Sequence, residues 1–384
     1  MTVPGRTGIL PVEPERRSPL IGDRDVLVLY DERMLEHQPE VHDPYLPGRL
    51  ERRVREILDG LDVKWSYPEH PGRLTAIREL LEEEPVPGVR FDTGAAATRE
   101  QLGRVHTMSY LDDIETLRGK SAWLDEDTTA ISKGSIEAAE VAAGTAVKAV
   151  EAVLAGGCDS AFALVRPPGH HAEPVRARGF CLFNNVAVAA AHAQAALGRG
   201  RVLIIDWDAH HANGTQDIFW ADPDVMLFDT HRGSPFYPGS GELEEVGGGR
   251  GRGTTVNVPL PEGSGDLALL TAFREILIPA ARWFEPDLIL VSAGYDPHRL
   301  DLALNVGYDG FAAITEVVRD LADELCDGRL ALVLEGGYHL ESLARGVRTT
   351  LEVLSGGDAF EPEEVGVREV RLAAEYHLDA FSDD

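Results

Sequence analysis

The chain has 384 residues, 43% of them hydrophobic, and a formal net charge of −29. This length accommodates one large α/β domain or two smaller ones, and the hydrophobic fraction is sufficient for a sizeable core. The negative charge disfavours nonspecific binding to nucleic acid or to an anionic membrane, whereas it would attract a cationic substrate or partner.

Targeting and redox signals are sparse. No apolar run reaches the roughly 18 residues of a membrane helix, and the first residues contain no apolar signal-peptide core. The three cysteines, at positions 158, 181 and 326, form no C-x-x-C pair, which argues against a disulfide framework and against a thiolate zinc finger. We therefore expect a cytoplasmic protein without a membrane segment.

Residues 23–356 alternate between strand and helix patterns and are predicted to form the main domain. Short apolar runs predict strands at 25–30, 161–165, 202–205, 225–228, 254–260, 287–292 and 330–334. Helical periodicity begins near residue 73 and is predicted again over 106–117, 133–155, 184–197, 267–284, 311–326 and 340–354. This alternation predicts an α/β fold with a mainly parallel sheet and helices on both faces.

Three segments stand apart from this alternation. Residues 1–22, rich in Pro, Arg and Glu, predict an irregular tail. The excursion at 31–73 is long enough to build the rim of a site, and it includes a helix-like pattern at 48–61. Residues 357–384 are acidic and predict a C-terminal extension with a terminal helix around 367–377.

The most informative stretch is VLIIDWDAHHANGTQ at 202–216. Asp206, Asp208 and His210 follow a buried strand at alternate positions, so in extended chain their side chains point to one side. Carboxylates this close repel one another when buried, and a divalent metal would resolve the conflict. Ligands of this type suit Zn, Fe(II), Mn or Co. The competing interpretation is an acidic strand end that caps the following helix.

Unusual residues follow four of the predicted strands. They are the segments RPPGHH at 166–171, DWDAHHAN at 206–213, AGYD at 293–296 and EGGY at 335–338. Each alone can be explained as a turn or a core position. Because sites in open parallel sheets form beyond the carboxyl ends of strands, the coincidence of all four predicts a functional site there.

The residue types suggest a catalytic metal centre. Asp208, His210 and Asp296 would be three protein ligands, which leaves a position open for water. His170 and His171 are candidates for proton transfer, with two further metal ligands as the alternative.

Three more polar residues fit the same centre. Tyr338, on its Gly-Gly turn, can donate a hydrogen bond to an oxyanion. Asp206 and Asn213 are natural partners of the imidazoles and would set their tautomers.

Two aromatic positions are candidates for a substrate channel. Gly179 and Phe180 would place an aromatic ring near the site, and Tyr237 in the sequence PFYPG would supply another. Together they can line a channel for an extended apolar stem. The alternative for each ring is ordinary core or turn packing.

These motifs resemble those of the histone deacetylase superfamily, in particular its class II-like bacterial and archaeal members. The resemblance runs from about residue 23 to residue 356. It rests on five motifs in the family's order: RPPGHHA (166–172), GFCLFNN (179–185), DWDAHHANGTQ (206–216), SAGYDPH (292–298) and LEGGYHL (334–340).

The resemblance implies one domain of the arginase/deacetylase type with a central eight-stranded sheet. It also implies zinc, with Fe(II) as the alternative, held by Asp208, His210 and Asp296. A structural potassium ion is implied near Asp206 and the main-chain oxygens of Asp208 and His210. These are expectations from the family.

The resemblance further implies roles for the remaining residues. His171, beside Asn213, would be the general base, and His170, paired with Asp206, would assist electrostatically. Tyr338 matches the family's transition-state tyrosine.

Phe180 and Tyr237 match the family's acyl-lysine tunnel walls. The sequence departs from the family after SAGYDPH, where the usual Gly-Asp-Pro is missing and Asp301 fills the place of the aspartate. Ala303 stands where a polyamine-selective relative carries a glutamate, which argues against polyamine specificity.

The predicted function is a zinc-dependent deacetylase that hydrolyses N-acetyl-lysine or a related acyl-lysine in proteins and releases acetate. The alternative is an amidohydrolase of acetylpolyamines or other small acetylated amines. A non-catalytic acetyl-lysine binder is a further alternative. We expect no direct nucleic-acid or membrane partner, and a homo-oligomer is compatible with the sequence.

Overall fold

The computed structural model describes residues 22–39, 67–125, 128–198, 200–359 and 368–381. Its strands are β1 Val26–Tyr30, β2 Val89–Thr93, β3 Ala122–Trp123, β4 Ala130–Ile131, β5 Ser160–Ala163, β6 Val202–Asp206, β7 Val225–Arg232, β8 Thr255–Leu260, β9 Leu288–Ala293 and β10 Leu330–Leu334. Eight of them form one sheet in the order β2-β1-β5-β10-β9-β6-β7-β8, with every neighbouring pair parallel. The other two, β3 and β4, form a small antiparallel pair.

Helices connect the strands. They are α1 Gly72–Glu83, α2 Arg99–Leu102, α3 Met108–Glu115, α4 Ser135–Leu154, α5 Asn185–Leu197, α6 Asn213–Phe219, α7 Asp266–Ala272, α8 Ile278–Phe284, α9 Tyr308–Leu325, α10 Leu340–Leu354 and α11 Arg368–Phe381. Short 3₁₀ turns lie at Glu32–Glu36 and Gly249–Gly251. Within the described ranges, every helix is too short or too polar to cross a lipid bilayer.

The central strands owe their position to their composition. β6, β9 and β10 are buried along their whole length, and each contains an uninterrupted apolar run. Parallel strands that are covered on both faces have this pattern, because neither face meets water. The predicted α/β fold with a parallel sheet is therefore confirmed.

Several elements differ from the sequence-based expectation. β2 was not predicted, because it is an edge strand whose residues after Val89 are all exposed and show no apolar alternation. β7 continues to Arg232, beyond its predicted end at 228, because polar residues are buried in its second half. A π-helical turn at Phe273–Leu277 divides the predicted helix at 267–284. The predicted tail, apart from residue 22, and the helix-like pattern at 48–61 lie outside the described residues.

The terminal helix α11 packs against α7, α8 and the edge strand β8. Val370 is fully buried, and His377 Nε2 donates to the carbonyl oxygen of Asn257 at 2.8 Å. The helix thus covers the edge of the sheet, where an open strand would expose unpaired backbone groups.

Val370→Asp is expected to lower the free energy of unfolding by about 3 kcal/mol, because it buries a carboxylate without a partner. Leu372→Asp is the matched control on the same helix, since Leu372 is 51% exposed, and it should cost less than about 0.5 kcal/mol. Denaturant unfolding measures both variants. Equal values would contradict the packing of α11 against the domain.

Candidate active site

A group of two carboxylates and an imidazole lies beyond the carboxyl ends of β6 and β9. Asp208, His210 and Asp296 each offer one ligand atom, and these atoms lie within 4.8 Å of one another. His210 Nδ1 lies 3.0 Å from Asp208 Oδ1 and 3.0 Å from Asp296 Oδ2. The structure therefore brings the three predicted metal ligands together.

Two glycine-containing turns make room for this group. The backbone N–H of Gly336 donates to Asp208 Oδ2 at 2.8 Å. A methyl group at Gly336 would lie 2.5 Å from both Asp208 Oδ2 and Asp296 Oδ2, and one at Gly294 would overlap Asp208. Any side chain larger than hydrogen at these positions would therefore displace the carboxylates.

The electrostatics of the group favour a bound cation. Burial and the negative charge of Asp208 raise the pKa of Asp296 to about 7. Burial alone would lower the pKa of His210, but the charge of Asp296 and a hydrogen bond with Asp208 raise it to about 9. Burial likewise opposes ionisation of Asp208, yet the positive charges of His170 and His210 hold its pKa well below the usual range.

The donor set fits a divalent metal. Asp296 Oδ2 is buried and makes no hydrogen bond to any described atom, although it lies 3.0 Å from His210 Nδ1. One proton on His210 cannot bond to both carboxylates at once, whereas a divalent ion can bind all three side chains. Two oxygen ligands and one nitrogen ligand match a catalytic rather than a structural site, because a fourth position remains for water or substrate.

The tandem histidines lie next to this group and have different partners. His170 Nδ1 bonds to Asp206 Oδ2 at 3.0 Å, and His171 Nδ1 bonds to Asn213 Oδ1 at 2.7 Å. Their ring centroids are 4.0 Å apart. The amide of Asn213 is itself oriented, because its Nδ2 donates to Glu173 Oε1 at 3.0 Å.

These partners separate the pKa values of the two rings. Burial lowers the pKa of His170, but the charges of Asp206 and Asp208 outweigh it and raise that pKa well above the usual value. Burial and the positive charges of His170 and His210 lower the pKa of His171 well below the usual value. The arrangement thus pairs a cationic imidazole with a neutral one, as acid–base chemistry requires.

Tyr338 directly follows the Gly336–Gly337 turn. Its ring lies 5.7 Å from that of Phe180, and the Arg73 guanidinium lies 5.1 Å from its centroid. Burial raises the pKa of Tyr338 well above its usual value, and the nearby charges of Asp296 and Asp208 add to this effect. The phenol therefore keeps its proton and can act as a hydrogen-bond donor.

Gly179 lies against the ring of His171, and Phe180 packs against Tyr338. Both residues have positive φ, 57° and 68°, and their N–H groups donate to the hydroxyls of Thr128 and Thr129 at 3.1 Å. A methyl group at Gly179 would lie 2.6 Å from Cγ of His171. Glycine is needed here because the histidine ring occupies the space of a side chain.

Tyr237 lies in the loop that follows β7 and borders the site. Its ring centroid lies 5.1 Å from that of His171 and 6.1 Å from that of His210. Arg178 Nε donates to the Tyr237 hydroxyl at 3.1 Å, and the guanidinium lies over the ring. The structure therefore brings all eleven candidate site residues of the sequence analysis into one region.

Some residues of the site were not identified from the sequence. Phe236 stacks on His210 with centroids 4.7 Å apart, and Tyr67 packs edge-on against Phe180 at 5.2 Å. Glu335 Oε2 accepts the N–H groups of Gly169 at 2.7 Å and of the following histidine at 3.1 Å. Glu335 had a signal, because it is a carboxylate directly after a buried strand, and Phe236 is the neighbour of Tyr237 in PFYPG, whereas Tyr67 had none.

A buried cluster of three charged side chains supports the turns at 166–171 and 335–338. Glu69 Oε1 lies 2.8 Å from Arg166 Nε and 3.1 Å from Arg73 Nη1, and all three side chains are fully buried. Arg73 also donates to the carbonyl oxygens of Gly337, at 2.6 Å, and Glu335. The cluster links α1 to the turns that carry the tandem histidines and the tyrosine.

Gly179→Ala is expected to lower the free energy of unfolding more than Gly263→Ala does. Both glycines have positive φ, 57° and 76°, so each alanine loses roughly 1–2 kcal/mol in the left-handed conformation. Gly263 has open space around it, whereas overlap with His171 adds about 1–3 kcal/mol at position 179. Denaturant unfolding of both variants gives the difference, and equal losses would contradict the contact.

Comparison with known proteins identifies the family. Residues 67–354 match the histone deacetylase domain family. The chain is 40% identical over 320 residues to histone deacetylase 14, chloroplastic, of Arabidopsis thaliana, which covers 78% of this chain and 75% of that protein. It is 38% identical over 327 residues to the polyamine deacetylase HDAC10 of Homo sapiens, which covers 79% of this chain and 48% of that protein.

A solved structure agrees with this assignment. The crystal structure of the HDA15 HD domain has a TM-score of 0.82 and 35% sequence identity with this chain, and the match covers 94% of this chain and 96% of that one. The matched family is one of metal-dependent hydrolases, and the predicted enzyme class is confirmed. The chain therefore belongs to the histone deacetylase family.

Proposed function

We propose that this enzyme is a zinc-dependent deacetylase that hydrolyses the amide of N-acetyl-lysine, or of a related acyl-lysine, in proteins and releases acetate. The observation that carries the proposal is the three-residue group of Asp208, His210 and Asp296. It lies beside two histidines, one with a raised pKa and one with a lowered pKa. An amide hydrolase needs both a cation for the carbonyl and a base for the attacking water.

Zinc is the proposed metal, with Fe²⁺ as the alternative, since both accept carboxylate and imidazole ligands. When bound, such an ion polarises the amide carbonyl and lowers the pKa of the attacking water. A structural potassium ion is proposed near Asp206 and the main-chain oxygens of Asp208 and His210. Its support is that Asp206 and Asp229 are buried on paired strands, so a monovalent cation would offset their repulsion.

His171 is the proposed general base. Its neutral ring accepts a proton at Nε2, because Nδ1 is engaged with Asn213 Oδ1 at 2.7 Å. His170, held positive by Asp206 and Asp208, would stabilise the negative charge that develops on the amide. The leaving amine takes its proton from this tandem pair.

Tyr338 and the aromatic walls complete the proposal. The Tyr338 hydroxyl would donate to the amide oxygen as that oxygen becomes negative, which is the role of an oxyanion-hole donor. Phe180 and Tyr237 would form the walls of a tunnel for the aliphatic stem of lysine. Gly179, which leaves room for the His171 ring, would be part of the same tunnel. The acetylated side chain is itself neutral, so the net charge of −29 favours a substrate that is cationic outside that side chain, and it favours the cationic amine product.

An acetylpolyamine or other small acetylated amine is the second candidate substrate. It is supported by the similarity to the relative named polyamine deacetylase HDAC10. Ala303, which is buried, argues against it, because it offers no charge to a polyammonium chain. A non-catalytic binder is the third candidate, and the complete set of ionisable side chains argues against it.

The biological setting stays a prediction. We propose a cytoplasmic enzyme that acts on an acetylated protein or amine, without direct contact to nucleic acid or membrane. Self-association into a homo-oligomer is compatible with these proposals. The domain limits 1–22, 23–356 and 357–384 are likewise retained as predictions.

The first test compares zinc-loaded enzyme on an acetyl-lysine peptide and on an acetylpolyamine. We expect turnover of the peptide, and a kcat reduced by about 10²–10³ in Tyr338→Phe because one oxyanion donor is lost. Tyr376→Phe is the matched control, since Tyr376 is exposed on α11, and it should behave as wild type. Turnover of the polyamine alone would contradict the protein substrate, and turnover of neither would contradict the deacetylase proposal.

Metal affinity is expected to rise with pH between about 6 and 8. The metal-free group holds protons at His210, with a pKa of about 9, and at Asp296, with a pKa of about 7. Lowering the pH adds protons that compete with the metal, so each proton released on binding strengthens affinity by up to about tenfold per pH unit. Competition titration with a zinc chelator measures this dependence.

Two variants serve as controls for the metal titration. Asp296→Asn should lose most of its zinc affinity, whereas Asp309→Asn, on the exposed start of α9, should keep it. Zinc affinity that is independent of pH, or equal in the two variants, would show that the metal binds elsewhere.

A further inference from the structure

Asp301 lies in the connection between β9 and α9, in the same loop as Asp296. Its backbone N–H donates to the carbonyl oxygen of His298 at 2.8 Å, and the N–H of Leu302 donates to the carbonyl oxygen of Asp296 at 3.4 Å. These bonds fix the course of the loop. Asp301 is therefore held in place by the segment that carries one of the carboxylates of the metal group.

One carboxylate oxygen of Asp301 accepts two consecutive backbone N–H groups. Oδ2 lies 2.6 Å from the nitrogen of Tyr338 and 2.7 Å from that of His339. These residues directly precede α10, where N–H groups lack partners within the helix and the helix dipole favours a negative charge. The carboxylate thus ties the entry of α10 to the β9–α9 loop.

The turn before Tyr338 needs a contact of this kind to fix its position. Gly337 has a φ of 121°, a conformation that glycine adopts freely and that gives the turn little stiffness of its own. Arg73 holds this turn through the carbonyl oxygen of Gly337 at 2.6 Å, on the side before the tyrosine. Asp301 holds the N–H of Tyr338 itself and the N–H that follows.

We propose that Asp301 is a positioning residue for Tyr338, which keeps the tyrosine backbone in the place from which the phenol reaches the metal group. The inference rests on the proposed function, in which the Tyr338 hydroxyl donates to the developing oxyanion. Asp301 touches no substrate in this role. Its removal would let the phenol move away without changing the three metal ligands.

The kinetic consequence follows from when the phenol acts. A donor needed mainly in the transition state affects kcat more than KM, and a displacement of about 1 Å can cost roughly 10²-fold in rate. The proposed tunnel walls, Phe180 and Tyr237, are held by other contacts, so substrate binding should be preserved. If Asp301 had only a structural role, its removal would lower the free energy of unfolding without lowering kcat more than it changes KM.

The bond pattern also predicts which substitution is tolerated. Because both N–H groups bond to the single oxygen Oδ2, the one carbonyl oxygen of an asparagine can accept both. Asp301→Asn should therefore keep the turn in place, whereas Asp301→Ala removes the acceptor. Asp301→Ser offers a hydroxyl that is too close to its own backbone to reach both donors.

The experiment measures kcat and KM for the acetyl-lysine peptide together with amide hydrogen exchange of the peptide that contains Tyr338 and His339. Asp301→Ala is expected to lower kcat by about 10–100-fold with KM within about threefold, and to speed exchange of those two amides. Asp301→Asn is expected to restore both readouts to within about threefold of wild type. If Asp301→Ala does not fold, Asp301→Ser carries the same expectation.

Asp159→Ala is the matched control, because Asp159 Oδ2 accepts the N–H of Asp25 at 2.7 Å, at the amino ends of β1 and β5 and so at the opposite end of the strands from Tyr338. It should leave kcat and the exchange at Tyr338 unchanged. Wild-type kcat in Asp301→Ala, or an equal loss in Asp301→Asn, would overturn the inference while the proposed function stands. Absence of turnover in the wild-type enzyme would overturn the proposed function, and with it the positioning role of Asp301.

Discussion

The repulsion among buried carboxylates at one edge of the sheet is the constraint on which the rest of this structure depends. Asp206, Asp208, Asp296 and Glu335 are all fully buried at the carboxyl ends of β6, β9 and β10. Carboxylates without compensation would take up protons or disrupt the fold. The neighbouring histidines and the backbone N–H groups reduce this repulsion, and the proposed divalent cation would reduce it further.

The carboxylates differ in the partners that compensate their charge. Asp206 bonds to an imidazole, Glu335 accepts two backbone N–H groups, and Asp296 keeps one oxygen without a hydrogen bond. The oxygen of Asp296 that has no hydrogen bond and the raised pKa of Asp296 are consistent with the proposed metal position. The same low dielectric that makes these charges costly also strengthens their effect on the tandem histidines.

Much of the site could be predicted from the sequence because its residues follow a simple rule. Buried parallel strands leave a continuous apolar run, and the polar residues that follow each run must meet at one edge of the sheet. Asp208, His210 and Asp296 were found in this way. Edge strand β2 was not, because four of its five residues are exposed and it has no apolar alternation that would distinguish it from a loop.

The parallel α/β fold, the three residues proposed as metal ligands and the tandem histidines could be predicted from the sequence, since local patterns and the order of the motifs suffice for these. How these residues are held in place depends on contacts that the folded chain alone provides. Phe236 against His210, Glu173 behind Asn213 and the bond from Asp301 to the tyrosine turn are contacts between segments that are distant along the chain. Such contacts depend on where loops meet in space, and no local pattern of residues encodes that meeting.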